Sequence, residues 1–292
     1  MSWVNAIIQG VFLGGLYALF ACGLSLLFGV MRIINLAHGD LAVLGAFLVF
    51  QITTSLHINP FLALVPTLVV MAAVGYLLQR VVLTRSIGSG TLVPLLATFG
   101  LSIVLQNGLL QVFSADVHSL GPDAGALSTA SWQLTTSISI PVLGLVILAV
   151  AVIVLGGLQL LLQATPTGRE MRATAQDSDT AGLLGVPSSA VYARVAAIAV
   201  MTATIAGTFL AIRSTFDPAS GPTQLIFAFE AVVIGGLGSL WGTLTGGIVL
   251  GVAQTLGAQI DPQLSILAGH VVFLAVLATP RGRSLAMGGV RA

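Results

Sequence analysis

Residues 35–47 read NLAHGDLAVLGAF. Asn35, His38 and Asp40 stand here between one apolar run that ends near residue 30 and another that starts at residue 40. In one reading they form a short cytoplasmic turn, with Asn35 capping the helix that follows. In the other a helix breaks inside the bilayer and its polar gap lines a permeation path, because polar groups at membrane depth are tolerated only against protein or a water-filled cavity. Both readings presuppose a bilayer, and the composition supplies it. The 292 residues are 57% hydrophobic and only 7% charged, with mean hydropathy +1.07. A soluble domain carries about 25% charged residues, and a soluble chain of this length still exposes roughly a quarter of its unfolded surface. Seven per cent cannot cover a water-facing surface. The expectation is an integral membrane protein: an all-α, polytopic bundle forming a single domain over residues 1–292.

Outward from this stretch, the apolar runs long enough to cross a bilayer, about 20 residues each, are 4–30, 40–56, 61–83, 92–113, 139–163, 191–213 and 263–279. A glycine-rich stretch, 223–258, makes one tilted span plus a half-helix, or two short spans, so the expected total is eight or nine. Trp3, Trp132 and Trp241 suit interfacial positions. The first run has no basic residue before it and exceeds a signal-peptide core, so it reads as a span that is kept. NLAHGDLAVLGAFLV and GGLGSLWGTLTGGIV share a polar, glycine-rich start leading into an apolar run, which suggests a weak inverted repeat.

All ten basic residues are arginine; the chain has no lysine. That excludes P-loop ATP hydrolysis, which needs a lysine on the phosphates, and excludes a lysine Schiff base. The single cysteine, Cys22, allows neither an internal disulfide nor a thiolate metal site. No HExxH-like spacing accompanies the four histidines, so no metal site is expected. Net charge +1 argues against nucleic acid. Arg80 and Arg85 end the third run, Arg169, Arg172 and Arg194 sit in or beside 164–190, and Arg281, Arg283 and Arg291 close the chain. The positive-inside rule puts all three regions in the cytoplasm. The segment 114–138, with Asp116 and Asp123, then lies outside, as does the N-terminus, and this favours nine crossings.

Within the spans, Gly238, Gly242 and Gly246 recur at every fourth position, as do Gly235, Ser239, Thr243, Gly247 and Gly251. Small residues at that interval make a flat stripe against which another backbone packs closely. GGLGSLWG lacks the GxGxxG spacing and no strand precedes it, so it is not a phosphate cradle. Glu230 is costly in hydrocarbon and needs a partner, a cavity or an interfacial position. Thr98, Ser102, Gln106 and Asn107 recur at helical spacing and read as hydrogen bonds between helices, with channel lining as the second choice. TPTGREMRATAQDSDTAGLLGVP (165–187) is the long polar interruption. Thr167 with Glu170 forms a capping box for one short helix. Asp177 or Ser178 caps a second, which stops at Gly185 before Pro187. Met171, Ala175, Leu183 and Leu184 give the pair an apolar face. A connector needs far fewer residues, so the form favours a cytoplasmic knob that docks a soluble partner.

Four stretches in order, INLAHGDLAVLGAF, LLATFGLSIVLQNG, PTGREMRATAQDSDTAGLLGV and VVIGGLGSLWGTLTGGIVLG, resemble the membrane permease of ABC importers for branched-chain amino acids, the LivH type. The resemblance implies two permease chains, a LivH-like one with a LivM-like or identical partner, in the bacterial inner or plasma membrane. It implies two cytoplasmic ATP-binding subunits that use ATP and Mg, and a periplasmic or extracellular binding protein. This chain is then no enzyme and binds no cofactor itself. The knob matches the family's coupling region, with Gly168, Arg169, Glu170, Arg172, Asp177 and Gly185 at the ATPase. The 35–40 cluster matches a helix break near the path, so Asn35, His38, Asp40, Ser239 and Glu230 are the candidate path residues. Glu230 departs from the family pattern. Related permeases carry urea or short amides, and a proton-driven secondary transporter using Glu230, His38 or Asp40 is the rival mechanism. A membrane-embedded enzyme lacks any visible nucleophile–base set.

Overall fold

The computed structural model describes residues 3–86, 90, 92–135 and 138–279. Its first helix, α1 (Trp3–Met31), contains no charged residue and is apolar on every side, as a helix enclosed by protein must be. The most apolar window of α1 is 83% buried and that of α9 (Ser188–Arg213) 78%, against 22% for α3 (Pro60–Leu78, with its continuation to Leu83), α4 (Leu92–Phe113) and α6 (Val142–Ala164). Two central helices are therefore ringed by others that keep one face for lipid. With α2 (His38–Leu56) and α11 (Leu240–Ile260), seven helices are long and apolar enough to span a bilayer, and α10 (Gly221–Gly235) and α12 (Leu264–Ala278) are shorter apolar helices. The stretch 223–258 is thus two helices, which makes nine apolar helices among the described residues.

Close backbone approaches fix their directions. On α1, Gly10 faces Val252 and Thr255, Gly14 faces Ile248, and Gly29 faces Gly238, so α1 and α11 are antiparallel. Gly144 lies on Phe12 and Gly15 on Leu148, so α6 runs parallel to α1. Gly75 packs on Ala196 and Val200 while Phe61 meets Phe209, so α3 opposes α9. Thr98 and Ser102 hydrogen-bond Leu36 and Asp40 respectively, so α4 runs alongside α2.

The break at 32–37 enters the bundle. α2 does not start beside the end of α1. His38 sits against Phe20 and Gly23, and Gly23 is eight residues, about 12 Å of helix, back from Met31. α10 mirrors this: the chain leaves α9, passes Phe216 at the opposite face, where it bridges His118, and begins α10 at Gly221 against Gly39 and Asp40. Two short-started helices thus meet by their N-termini at mid-depth and run apart to opposite faces. α1–α4 and α9–α12 form an inverted repeat around this point. The repeat pairs α2 with α10. The sequence comparison above matched α2 to the start of α11 instead, because both begin polar and glycine-rich; the α11 start owes those residues to a tight turn at Gly236–Ser239.

Three further expectations are corrected. The segment before α6 is not helical throughout: after α5 (Ala126–Thr129), Ser131–Thr135 (β1) pairs antiparallel with Ile138–Pro141 (β2), so the span begins at Val142 rather than 139. The first knob helix, α7 (Pro166–Gln176), is capped by Thr165, whose hydroxyl accepts from the Gly168 amide at 3.0 Å. With Pro166 fixing its first turn, Thr167 is already inside the helix. The glycine stripe does not follow one helix. Gly235 ends α10, and Gly242 and Gly246 face α10 while Gly247 and Gly251 face α1.

Arg32, Arg80, Arg85, Arg169, Arg172 and Arg194 gather at the face where α1 and α3 end and α9 begins, and Arg213 alone of the described arginines ends α9 at the other. The positive-inside rule assigns the arginine-rich face to the cytoplasm. Arg281, Arg283 and Arg291 lie outside the described residues.

Candidate functional site

The meeting of α2 and α10 gathers three of the sequence candidates. Asn35 accepts from the Ala37 amide at 3.0 Å, closing the turn before α2 without being its N-cap, which is Ala37. His38 is fully buried, and its Nε2 donates to the Phe20 carbonyl at 3.0 Å. Gly23 makes room for that ring: a Cβ there would lie 2.7 Å from the imidazole Cε1. Asp40, in the first turn of α2, accepts from Ser102 Oγ at 2.5 Å, and Gln106 donates to the same hydroxyl at 3.0 Å. Its other oxygen, Oδ1, has no partner among the described residues and lies on Gly221, the first residue of α10. One carboxylate thus faces two helix N-termini, the end of a helix that favours negative charge. Gly39 and Gly221 allow this approach, since a Cβ on either would run into the other helix's backbone or the Asp40 carboxylate.

Glu230 is not part of that cluster. It stands further along α10, 3% exposed, with Oε1 2.5 Å from His270 Nδ1 on α12. Beside it, Tyr17 of α1 donates to Gln254 Oε1 of α11 at 2.5 Å. Phe227 lies between, with ring centroids 5.0 Å from Tyr17 and 6.3 Å from His270. α10 is therefore tied to α12 by a carboxylate, as α2 is tied to α4 by Asp40 and Ser102. Ser239 is elsewhere again, exposed at the arginine-rich end, where its hydroxyl caps α11 by accepting from the Gly242 amide at 3.1 Å.

The knob consists of α7 and α8 (Ser178–Leu183). Most of its sequence-predicted contact residues hold its shape. Gly168 is buried against the last carbonyls of α6, where any Cβ would collide. Arg172 donates to the Leu162 carbonyl, a cation at the negative end of α6. Glu170 pairs with Arg194 of α9 at 2.8 Å, and Met171 is fully buried. Asp177 caps α8, accepting from the Asp179 and Thr180 amides at 3.0 Å and from Thr180 Oγ1 at 2.6 Å. The Thr180 hydroxyl first, and then these amides, hold the Asp177 carboxyl below the usual carboxylate range. Gly185, at φ +86°, ends α8 in a left-handed turn that suits glycine. Arg169 remains exposed on the surface.

The four residues read as the knob's apolar face divide: Met171 is buried at its base, while Leu183 and Leu184 stand bare at its tip. Leu183 is 89% and Leu184 80% exposed. They follow α8's single buried residue, Ala181, and α8 is too short to bury a second side. The sequence carried the signal, adjacent leucines before a terminating glycine, but not its direction. Sequence reasoning also passed over Tyr17, Gln254 and His270, which become a polar group only once α1, α11 and α12 are packed.

Over residues 6–278 the chain matches the family described as branched-chain amino acid transport system / permease component. It is 29% identical to the high-affinity branched-chain amino acid transport system permease protein BraD of Pseudomonas aeruginosa, covering 96% of this chain and 95% of that one. It is equally 29% identical to the corresponding LivH protein of Escherichia coli K12, covering 97% and 95%. A more distant relative is the fructose import permease protein FrcC of Rhizobium meliloti, 27% identical over 83% of this chain and 69% of that one.

Proposed function

The chain belongs to the branched-chain amino acid transport permease family, and on that premise we propose that it forms one half of the membrane pathway of an ATP-driven importer for branched-chain or related small amino acids. A second permease chain, LivM-like or identical, completes the pathway. Two cytoplasmic subunits bind ATP and Mg, because this lysine-free chain has no phosphate-binding loop of its own. A periplasmic or extracellular binding protein delivers the substrate and makes most of the choice among amino acids. Asn35, His38 and Asp40, at the meeting of α2 and α10, position the moving part of the path. ATP binding draws the knobs together, and the glycine-packed helices tilt as rigid bodies to turn the opening from one face to the other.

The observation that carries this reading is the knob tip. Leu183 and Leu184 are bare on the arginine-rich face, on a base pinned to α6 and α9 through Arg172 and Glu170. Burying one leucine contributes about 1.5–3 kcal/mol, so Leu184→Asp is expected to weaken docking of the ATPase about ten- to a hundred-fold. The test is amino-acid-stimulated ATP hydrolysis by the reconstituted complex. It should collapse while the membrane chain's melting temperature holds. Undiminished hydrolysis in the variant, or uptake by this chain alone under a pH gradient, rejects the proposal.

A further inference from the structure

The cytoplasmic half of the bundle holds a polar side chain that this conformation leaves wholly unserved. Gln79 opens the five-residue π-helix Gln79–Leu83 at the end of α3. It is fully buried, and neither Nε2 nor Oε1 has a hydrogen-bond partner among the described residues. Its backbone carbonyl, by contrast, accepts from both the amide and the hydroxyl of Thr84, at 2.8 and 2.7 Å, so the wide turn stands without help from the side chain. That side chain faces a small enclosed cavity walled by Leu27, Leu41, Leu101 and Val200, with Asn35 of the break as its other polar residue. An aliphatic residue would serve packing better, since a buried amide with no partner is destabilising. A π-turn within a helix is also frequently a functional feature.

The break has the complementary deficit. Leu36, Ala37 and His38 donate their amides to Thr98, to the Asn35 side chain and to the Asn35 carbonyl. The amides of Ile33, Ile34 and Asn35 make no hydrogen bond among the described residues. Asn35, whose backbone amide is among these donors, and the unpaired Gln79 side chain therefore line one cavity, at the joint where α1 gives way to α2.

We propose that Gln79 is the latch of the inner gate. Unpaired in the state described, it accepts from the Asn35 amide when the helices tilt, and it holds the break in that second position. The proposal rests on the transport reading above. Gln79 touches no substrate; it is a positioning residue, acting on the break by destabilising one state relative to the other.

Gln79→Leu keeps the volume and removes both hydrogen-bonding groups. In the full complex with its ATPases, in proteoliposomes, the variant is expected to melt at or above the wild-type temperature. Amino-acid uptake should nevertheless fall at least about ten-fold, and substrate-stimulated ATP turnover should fall with it. Uptake within two-fold of wild type overturns the latch. So does a parallel loss of melting temperature and uptake, which would make Gln79 a packing residue. A wild-type complex that accumulates no amino acid overturns the transport reading, and the latch with it.

Discussion

Replacing Gly247 by alanine adds one methyl group, and the structure says where it goes. The new Cβ would lie 2.6 Å from the Gly14 carbonyl oxygen, 3.0 Å from the Ala18 nitrogen and 3.2 Å from the Ala18 Cβ. All three are atoms on or next to the backbone of α1, so no side chain can swing aside. A comfortable carbon–oxygen contact is about 3.3 Å, so α1 and α11 must separate by about 0.7 Å. A gap of that size forfeits a quarter to a half of each contact's ~0.1–0.2 kcal/mol, and a seam with as many contacts as one buried leucine, about 40–60, loses about 2–3 kcal/mol. That matches the upper range for overpacking, about 1–3 kcal/mol. Net of the about 0.5–1 kcal/mol that any helical Gly→Ala change returns, about 1–2.5 kcal/mol remains, so at about 2–4 °C per kcal/mol Gly247→Ala should lower the melting temperature by about 2–10 °C, read by tryptophan fluorescence of the solubilised protein. Gly157→Ala on α6 is the control, with nothing within 4 Å of its Cβ. It relieves the helical glycine penalty of about 0.5–1 kcal/mol and should raise the melting temperature slightly. If the two variants melt within about 1 °C of each other, close glycine packing is not what sets the spacing of the central helices.

Two more expectations concern single polar contacts. His270→Leu leaves Glu230 unpaired. Since His270 is itself 38% exposed, the cost is about 1–3 kcal/mol after solvent screening, and adding Glu230→Gln should restore most of it in a double-mutant melt. In the knob, Asp177 is held below the ordinary carboxylate pKa. Its capping is therefore complete above about pH 4 and is lost only as pH falls through the depressed value. Hydrogen-exchange protection of α8 should stay constant from about pH 8 to pH 5 and vanish in Asp177→Ala; a change near neutrality would contradict the assignment.

The existence of the helices was legible because each is an apolar run bounded by arginine, proline or glycine. Their starting depths were not. Nothing in NLAHGD says that α2 begins beside Phe20 rather than beside Met31; that depends on Gly23 leaving space for His38 and on Gly39 meeting Gly221, contacts between residues far apart in the chain. The same holds for 223–258, where the turn at Gly236 divides a run whose hydropathy barely dips. In the knob, Asp177 and Gly185 could be assigned from the sequence because capping is local. Arg172 and Glu170 could not, because their partners, Leu162 and Arg194, belong to the helices on either side. The β1–β2 hairpin escaped notice because its residues also read as the start of an apolar span.

The bare tip of the knob has a cost before assembly. A copy whose tip is uncovered exhibits two neighbouring leucines to water, the kind of feature that draws chaperones, proteases or other unassembled copies. On the proposed reading, in which a cytosolic ATPase covers this tip, supply of that subunit would ration how many copies survive, and overproducing this polypeptide by itself should yield degraded or clumped material.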